Sequence, residues 1–308
     1  MTLEAPDLAR APLGPGALET KRPSLTTSRA KSRAVRTFFE HRLAMVGLVI
    51  AVGIILFCFV GPLFYHTDQI HNHLDQVMKA PSARFPLGTD EVGHNVLGRL
   101  MVGGQSSLEM GIAAAFLASI VGTLWGAVAG FVGGVLDACM MRVVDALLSI
   151  PTVLLVLIIA SIFTPTIPVL ILALSLVSWL VTARLVRAEA MSLRGQAFVE
   201  ASVGAGCRTP RILIRHIIPN VVGTIAVQTT FEIANAILLL AALSFLGLGP
   251  PPPATNWGSM LSSGLTYVYS GAWWLIYPAG FAIVLTVLAF NFLGDAMRDA
   301  LDVRLQRR

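Results

Sequence analysis

The stretch that decides the fold is IANAILLLAALSFLGLGPPPPATNWGSMLSSGLTYVYSGAWWLIYPAGFAIVLTVLAFNFLG, residues 233–294, which contains no Lys, Arg, Asp or Glu. A transmembrane helix needs about 20 mostly apolar residues, so this stretch is too long for a single crossing. It cannot continue as one helix, because glycines and the four prolines at 250–253 interrupt it. The sequence therefore predicts two membrane spans joined by a loop.

The whole chain has the composition of a membrane protein. Of its 308 residues, 55% are hydrophobic and 13% are charged, and the mean hydropathy is +0.75, whereas soluble domains carry roughly 25% charged residues. Six segments are long and apolar enough to cross a bilayer. They are residues 43–65, 108–130, 143–163, 167–186, 221–246 and 274–293. The sequence thus predicts an all-α integral membrane protein with six transmembrane helices, of which the last five form a core over residues 105–294.

The basic residues predict how the chain is oriented. Positive charge is concentrated in the tail 1–42, the loop 187–220 and the tail 295–308, whereas the segment 66–104 has only three basic residues. By the positive-inside rule, both termini and the loop 187–220 are cytoplasmic in the cell membrane, and the segments 66–104 and 247–273 are extracytoplasmic. Basic residues beside a bilayer can also bind anionic membrane lipid. The net charge of +5 thus reports topology, and we infer no nucleic-acid partner.

The external segment 66–104 is predicted to contain an amphipathic helix. Thr89 can cap its start, and the helix dipole favours Asp90 and Glu91 in its first turn. Such a helix fits either the outer membrane interface or the protein's own spans. Several possible metal ligands precede it, namely His66, Asp68, His71, His73 and Asp75. Their spacing matches no regular ligand set, so an exposed polar loop is favoured over a metal site.

Two features inside the spans allow both structural and functional readings. Small residues recur every three or four positions in the second span and let another helix approach closely, within the chain or between subunits. They are Gly111, Ala115, Ala118, Gly122, Gly126, Gly130 and Gly134. The carboxylate of Glu232 is costly inside a membrane, so we predict either a translocation-path role, with Asn235 as a second path residue, or a structural hydrogen bond. Nearer the cytoplasmic boundary, Asp145 is predicted to pair with Arg142 on the same helical face.

The sequence contains no catalytic or nucleotide-binding motif. None of Lys21, Lys31 and Lys79 stands in the GK[ST] context of a P-loop, so the chain has no Walker A site for ATP. The motifs HExxH, GxSxG and CxxC are also absent. We therefore expect no catalytic residue, metal or cofactor in this chain.

The loop that carries the strongest functional signal reads MSLRGQAFVEASVGAGCRTPRILIRHIIPN from Met191. One short helix is expected to end at the glycines near 204–206. A second is expected to be capped by Thr209, with Pro210 at its first position, and to end before Pro219. Two helices joined by glycines form a rigid projection whose small residues allow a partner to approach closely. The loop is thus predicted to be a docking surface.

This loop and three motifs outside it resemble the permease subunits of ABC importers. The loop resembles their EAA motif through Glu200, Ala201, Ser202, Gly206, Ile218 and Pro219. Four motifs, one of them within the loop, resemble the C-type permease of dipeptide, oligopeptide and nickel importers. They are PLGTDEVGHNVLGRL from Pro86, MRVVDALLSIP from Met141, RHIIPN from Arg215 and LSFLGLG from Leu243. The similarity covers most of the chain, from about Thr37 to Arg304.

The resemblance implies a type I ABC importer permease that forms half of a translocation pathway and is not itself an enzyme. Its implied partners are a homologous B-type permease, two cytosolic ABC ATPase subunits or domains that bind ATP and Mg, and an extracytoplasmic substrate-binding protein. The implied ATPase-coupling residues are Glu200, Ala201, Ser202, Gly206, Arg208, Arg215, His216 and Pro219.

The substrate and two rival protein classes are open at this point. Peptides are favoured over nickel or other small solutes, because the spans contain no ligand-rich lining. A secondary transporter that couples protons through Glu232 is one rival, although such folds often show hydropathy repeats that this sequence lacks. A membrane-embedded structural or signalling component is the other. ATP-dependent uptake into vesicles separates the importer from both.

Overall fold

The computed structural model describes residues 42–305, with side chains up to residue 301, so the predicted tail 1–42 lies outside the described residues except for Arg42. Regular secondary structure in this part of the chain is helical, apart from one isolated bridge between Thr89 and Asn95. In chain order the helices are α1 (Arg42–Phe59), α2 (Gly61–Phe64), α3 (Val96–Val132), α4 (Gly134–Leu148), α5 (Thr152–Ile162), α6 (Ile167–Arg194), α7 (Ala197–Gly204), α8 (Thr209–Ile212), α9 (Ile218–Phe245), α10 (Trp257–Leu265) and α11 (Tyr277–Leu305).

The prediction of an all-α multi-pass membrane protein is confirmed. Within residues 42–305, five helical stretches are long and apolar enough to cross a membrane, and the pair α4–α5 makes a sixth crossing if it is counted as one span. The predicted third span, 143–163, is not a single straight helix, because α4 and α5 meet at 83°. Pro151 lies at this break, where it lacks an N–H for the helical ladder and disfavours a helical residue before it. At the other end of the chain, α11 continues through residues 295–305, which were predicted to be a tail.

α3 begins at Val96 and takes the place of the separate amphipathic helix that was predicted to start after Thr89. The side chain of Asn95 caps it by accepting hydrogen bonds from two backbone N–H groups of the first turn, at 3.0 and 3.2 Å. Thr89 is fully buried instead. Its hydroxyl donates to the carbonyl of Gln76 and accepts a hydrogen bond from the backbone N–H of Lys79. Tertiary hydrogen bonds thus occupy the hydroxyl of Thr89, which the sequence suggested as a helix cap.

The ridge of small residues on α3 packs against α6 of the same chain. A Cβ atom added at Gly122 would lie 2.7 Å from the carbonyl oxygen of Trp179, and one added at Gly126 would lie 2.3 Å from that of Ala183. Both distances are shorter than carbon–oxygen contacts allow, so only glycine permits this approach of the two backbones. At these positions the ridge serves packing within the chain rather than between subunits.

The predicted external loop 247–273 folds back onto the protein. It contains α10, which Asn256 caps with its side chain. Trp257 is 1% exposed, and its indole N–H donates to the carbonyl of Leu100 at 2.9 Å. Its backbone N–H donates to the hydroxyl of Ser107 at 3.2 Å. α10 therefore packs on the first turns of α3 and closes that end of the helical bundle.

The segment between α2 and α3 contains the residues that were considered as metal ligands. The carboxylate of Asp68 accepts hydrogen bonds from the backbone N–H groups of Ile70 and His71 and lies 2.8 Å from the His71 ring. These bonds hold the pKa of Asp68 well below its usual range. Among the described residues, no three His, Cys, Asp or Glu side chains come together as a metal site.

Candidate coupling and translocation site

One face of α7 is anchored in the protein interior. Val199 is fully buried in a cluster with Phe131 of α3, Ala190 of α6 and Ile217. Burial of such apolar side chains gives about 1.5 to 3 kcal/mol each. α7 is therefore held against the rest of the protein by buried apolar side chains.

The opposite face of this region is exposed and carries the predicted coupling residues. Two of these residues, Ser202 and His216, are half-buried. The exposed ones are Glu200, Ala201, Gly206, Arg208, Arg215 and Pro219. The hydroxyl of Ser202 lies 3.5 Å from Nε2 of His216, and the ring of Phe198 lies 6.1 Å from the His216 ring. No ion pair among the described residues joins Glu200 to Arg208 or Arg215. Their charges are thus available to a partner.

Gly206 forms the turn between α7 and α8. Its φ of +76° lies in the left-handed region that side chains with a Cβ rarely adopt. No other atom lies within 4 Å of a Cβ added there, so backbone conformation rather than space requires glycine. α7 ends at Gly204, within the predicted stop.

The predicted end of the second short helix at Pro219 is wrong. α8 passes through a five-residue π-helical segment, Leu213–Ile217, directly into α9, and Pro219 lies in the first turn of α9. Proline has no N–H to donate, and its ring clashes with the carbonyl four residues earlier in a regular α-helix; the wider π turn accommodates both. Thr209 begins α8 without the side-chain cap that was predicted. The projection is thus continuous with the fifth span.

Two ion pairs attach α4 to α6, and the sequence analysis missed both of them. The guanidinium of Arg187 donates two hydrogen bonds to the carboxylate of Asp137, at 2.5 and 2.7 Å. Arg184 donates to Asp145 at 2.5 Å, so the predicted pairing of Asp145 with Arg142 is wrong. The arginines were considered only as signals of orientation. The signal available in the sequence was the two acidic residues at 137 and 145. They lie eight positions apart near the end of a hydrophobic segment, where carboxylates need basic partners.

The two translocation-path candidates lie in different environments. Glu232 is 4% exposed, and its carboxylate accepts a hydrogen bond from the side-chain N–H of Gln228 at 2.8 Å. A further side-chain hydrogen bond joins it to Ser178 of α6. Asn235 is exposed on the surface of α9. The two residues lie three positions apart on α9, one buried and the other exposed.

A groove between α3 and α9 was not anticipated from the sequence. It has a volume of about 490 Å³ and is mostly apolar, with hydroxyl groups from both helices. Those hydroxyls belong to Ser119, Thr123, Thr229 and Thr230. Ser119 and Thr229 are hydrogen-bonded to each other at 2.7 Å, whereas the buried hydroxyl of Thr123 has no hydrogen-bond partner among the described residues. Hydroxyl residues recurring in the second and fifth spans were the signal that could have predicted it.

A multi-pass helical bundle, with a projection that is continuous with its fifth span, defines an integral membrane protein. The chain belongs to the family described as binding-protein-dependent transport system inner membrane component, whose model matches residues 122–307. Residues 31–81 match the N-terminal transmembrane domain of oligopeptide transport permease C.

Curated relatives agree with this assignment over most of the chain. The oligopeptide transport system permease protein OppC of Bacillus subtilis is 39% identical over 89% of this chain and 90% of its own length. OppC of Haemophilus influenzae is 39% identical over 87% of each chain. The dipeptide transport system permease protein DppC of Bacillus subtilis is 36% identical over 93% of this chain and 89% of its own. The prediction of an ABC importer permease subunit in the inner membrane, with ATPase activity in separate subunits, is confirmed.

Proposed function

We propose that this chain forms half of the translocation pathway of an ATP-driven peptide importer. The names of the relatives, which are oligopeptide and dipeptide permeases, favour peptides over nickel. An importer for peptides must accept varied side chains, which suits a mostly apolar groove with hydroxyls better than a site rich in metal ligands.

The proposed complex contains a homologous permease, two cytosolic ABC ATPase subunits or domains and an extracytoplasmic binding protein. The exposed apolar side chains that line the groove, among them Phe116 at 64% and Val222 at 53%, provide a surface for the second permease. The Arg-rich projection is assigned to the cytoplasmic side with both termini, following the positive-inside rule. The segment before α3 and the loop around α10 then face the binding protein.

The projection, made of α7, the Gly206 turn, α8 and the π-helical segment 213–217, is the observation that carries the proposal. Its outer face is free for an ATPase, while Val199 and Ile217 on its inner face contact α3 and α6. Because α8 continues into α9, movement of the projection also shifts the helix that forms one wall of the groove. Closure of the ATPases on ATP is thus converted into opening or closing of the pathway.

The test of this proposal uses two variants in the assembled complex. Gly206→Asp should weaken association with the ATPases, because aspartate is strained at a positive φ and adds a charge at the contact. Glu200→Ala should leave the complex assembled but uncouple ATP hydrolysis from uptake, since it removes an oriented charged contact of about 1.5 to 3 kcal/mol. Co-purification of the ATPases, and parallel hydrolysis and uptake assays in proteoliposomes, measure these effects.

Gly195→Asp is the matched control. It adds the same side chain at a glycine with φ −82° and open space around it, at the end of α6, and should preserve association. Full association in the Gly206 variant together with full coupling in the Glu200 variant would refute the docking assignment.

A further inference from the structure

α4 turns an apolar face away from the protein and a face with ion-paired carboxylates towards it, the reverse of a helix on a water-soluble surface. Val135 and Val143 are 80% and 45% exposed, and Cys139 between them is exposed as well. The three residues recur at steps of four, so they share one side of the helix. Asp137, on the other side, is buried. The part of the chain that the structure describes therefore leaves an apolar helix face uncovered.

α4 runs across the helical bundle rather than along it. It meets α5 at 83°. The ion pairs with α6 indicate the same direction. Asp137 and Asp145 are eight positions apart, about 12 Å along α4, whereas their partners Arg187 and Arg184 are three positions apart, about 4.5 Å along α6. Because α6 crosses the membrane, a helix that crosses α6 at a steep angle lies close to the membrane plane.

The contacts of α4 also place it at a boundary of the hydrocarbon layer. α6 begins at Ile167, and a hydrocarbon core of about 30 Å corresponds to roughly 20 residues of helix. Counting from Ile167 brings the boundary to about Arg187, which is bonded to Asp137. The indole N–H of Trp125 on α3 donates to the carbonyl of Met140 in the middle of α4, at 3.3 Å, and tryptophan is enriched at membrane interfaces. In the proposed orientation this boundary is the cytoplasmic one.

Arg142 adds a cation to the edge of the apolar face. It is exposed and forms no ion pair with another described residue. It follows Cys139 by three positions, so the two residues are neighbours on the helix surface. A guanidinium matches the geometry of a phosphate, and a long basic side chain can reach from the apolar layer to the headgroups. An apolar helix face with a cation at its edge, lying at the membrane boundary, fits a bilayer surface that carries negative charge.

We propose that α4 lies in the cytoplasmic interface of the membrane and binds anionic phospholipid. Val135, Cys139 and Val143 face the first methylene groups of the acyl chains, and Arg142 binds the phosphate of the headgroup. The occupant of this face is thus lipid of the inner leaflet and not a second protein. The assignment goes beyond the peptide-importer function and does not depend on which substrate is transported.

Cys139 is a native probe of this face. In the whole complex in proteoliposomes, with Cys58 and Cys207 replaced, a fluorophore on Cys139 should be quenched strongly by phospholipids that carry a nitroxide near the headgroup and weakly by iodide in the water. The same fluorophore on Arg208→Cys, on the projection and without Cys139, is the control and should show the reverse pattern. Quenching of the Cys139 label by iodide alone would place α4 in water, and protection from both quenchers would place it under another subunit. Either result overturns the proposal.

The role of Arg142 is tested by comparing two headgroups in the same fluorescence assay. The mole fraction of nitroxide-labelled lipid that half-quenches the Cys139 label should be about fivefold lower for phosphatidylglycerol than for phosphatidylcholine, as expected for one basic residue at the surface. Arg142→Gln should remove this difference, whereas Arg142→Lys should keep most of it because the charge remains. Arg208→Gln, which removes a charge from the projection, is the matched control and should leave the difference unchanged. Equal quenching by both lipids before substitution, or an unchanged difference in the Arg142→Gln variant, would refute the phosphate contact.

Discussion

Among single side chains, Glu232 shows how burial decides between two roles that sequence leaves open. A carboxylate in the middle of a span suggests a pathway, because lipid excludes charge. The structure gives the same carboxylate two side-chain partners, Gln228 and Ser178, and leaves it 4% exposed. Glu109, which the sequence analysis passed over beside the apolar residues of the second span, is exposed instead. Hydropathy detects where a charge lies along a helix but not which neighbours surround it.

We expect Glu232→Gln to transport at a rate within about twofold of the wild type, because the isosteric amide can keep both hydrogen bonds. Glu232→Leu should lower thermal stability by about 1 to 3 kcal/mol, since it leaves Gln228 and Ser178 without their partner. Uptake assays and melting curves of the purified complex measure the two effects. Asn235→Leu, at an exposed site of the same helix, is the stability control. Loss of uptake in a fully assembled Gln variant would restore Glu232 to the pathway.

Helix boundaries show where local sequence rules fail in this protein. The apolar blocks predicted five of the six spans correctly, because each crossing depends mainly on its own residues, whereas the predicted third span is bent. Thr89 and Pro219 have the local chemistry of a helix start and a helix stop. Thr89 is occupied by partners in the external segment, and Pro219 is accommodated by a π-helical turn. Both differences from the predicted helix ends depend on tertiary contacts or backbone adjustments, which a short stretch of sequence does not reveal.

The two faces of the projection can be tested with one pair of substitutions in the π-helical segment. Ile217 is fully buried, so Ile217→Ala should destabilise the chain by about 2 to 5 kcal/mol, seen as a lower melting temperature. Ile214 is 69% exposed, so Ile214→Ala should leave the melting temperature unchanged and weaken binding of the ATPases. The two variants remove the same atoms, which makes each the control for the other. Equal melting temperatures would show that Ile217 does not anchor the projection.

The arrangement of the whole molecule depends on contacts between distant segments more than on hydropathy. The sequence predicted the multi-pass class, the glycine turn at Gly206 and the exposed face of the projection. It did not predict the 83° bend between α4 and α5, the ion pairs of Arg184 and Arg187, or the groove. Each of these features requires knowing which helices are neighbours. Residue patterns within a single helix do not contain that information.

Topology is tested by labelling single cysteines in intact cells, in a background without Cys58, Cys139 and Cys207. Asn72→Cys and Ser270→Cys occupy exposed positions on the proposed outer side and should react with a membrane-impermeant maleimide. Arg208→Cys, exposed on the projection, should react only after lysis. The reverse pattern at all three positions would invert the proposed orientation.

The hydrogen bonds of Trp257 also have a consequence for biosynthesis. They join α10 to Leu100 and Ser107, which lie 157 and 150 positions earlier in the chain. When α3 leaves the ribosome, the segment that will cover its first turns has not yet been translated. The early helices must therefore enter the bilayer with this end uncovered, and α10 docks only after the fifth span has been inserted. Completion of this end of the bundle is thus a late event in the maturation of the nascent chain.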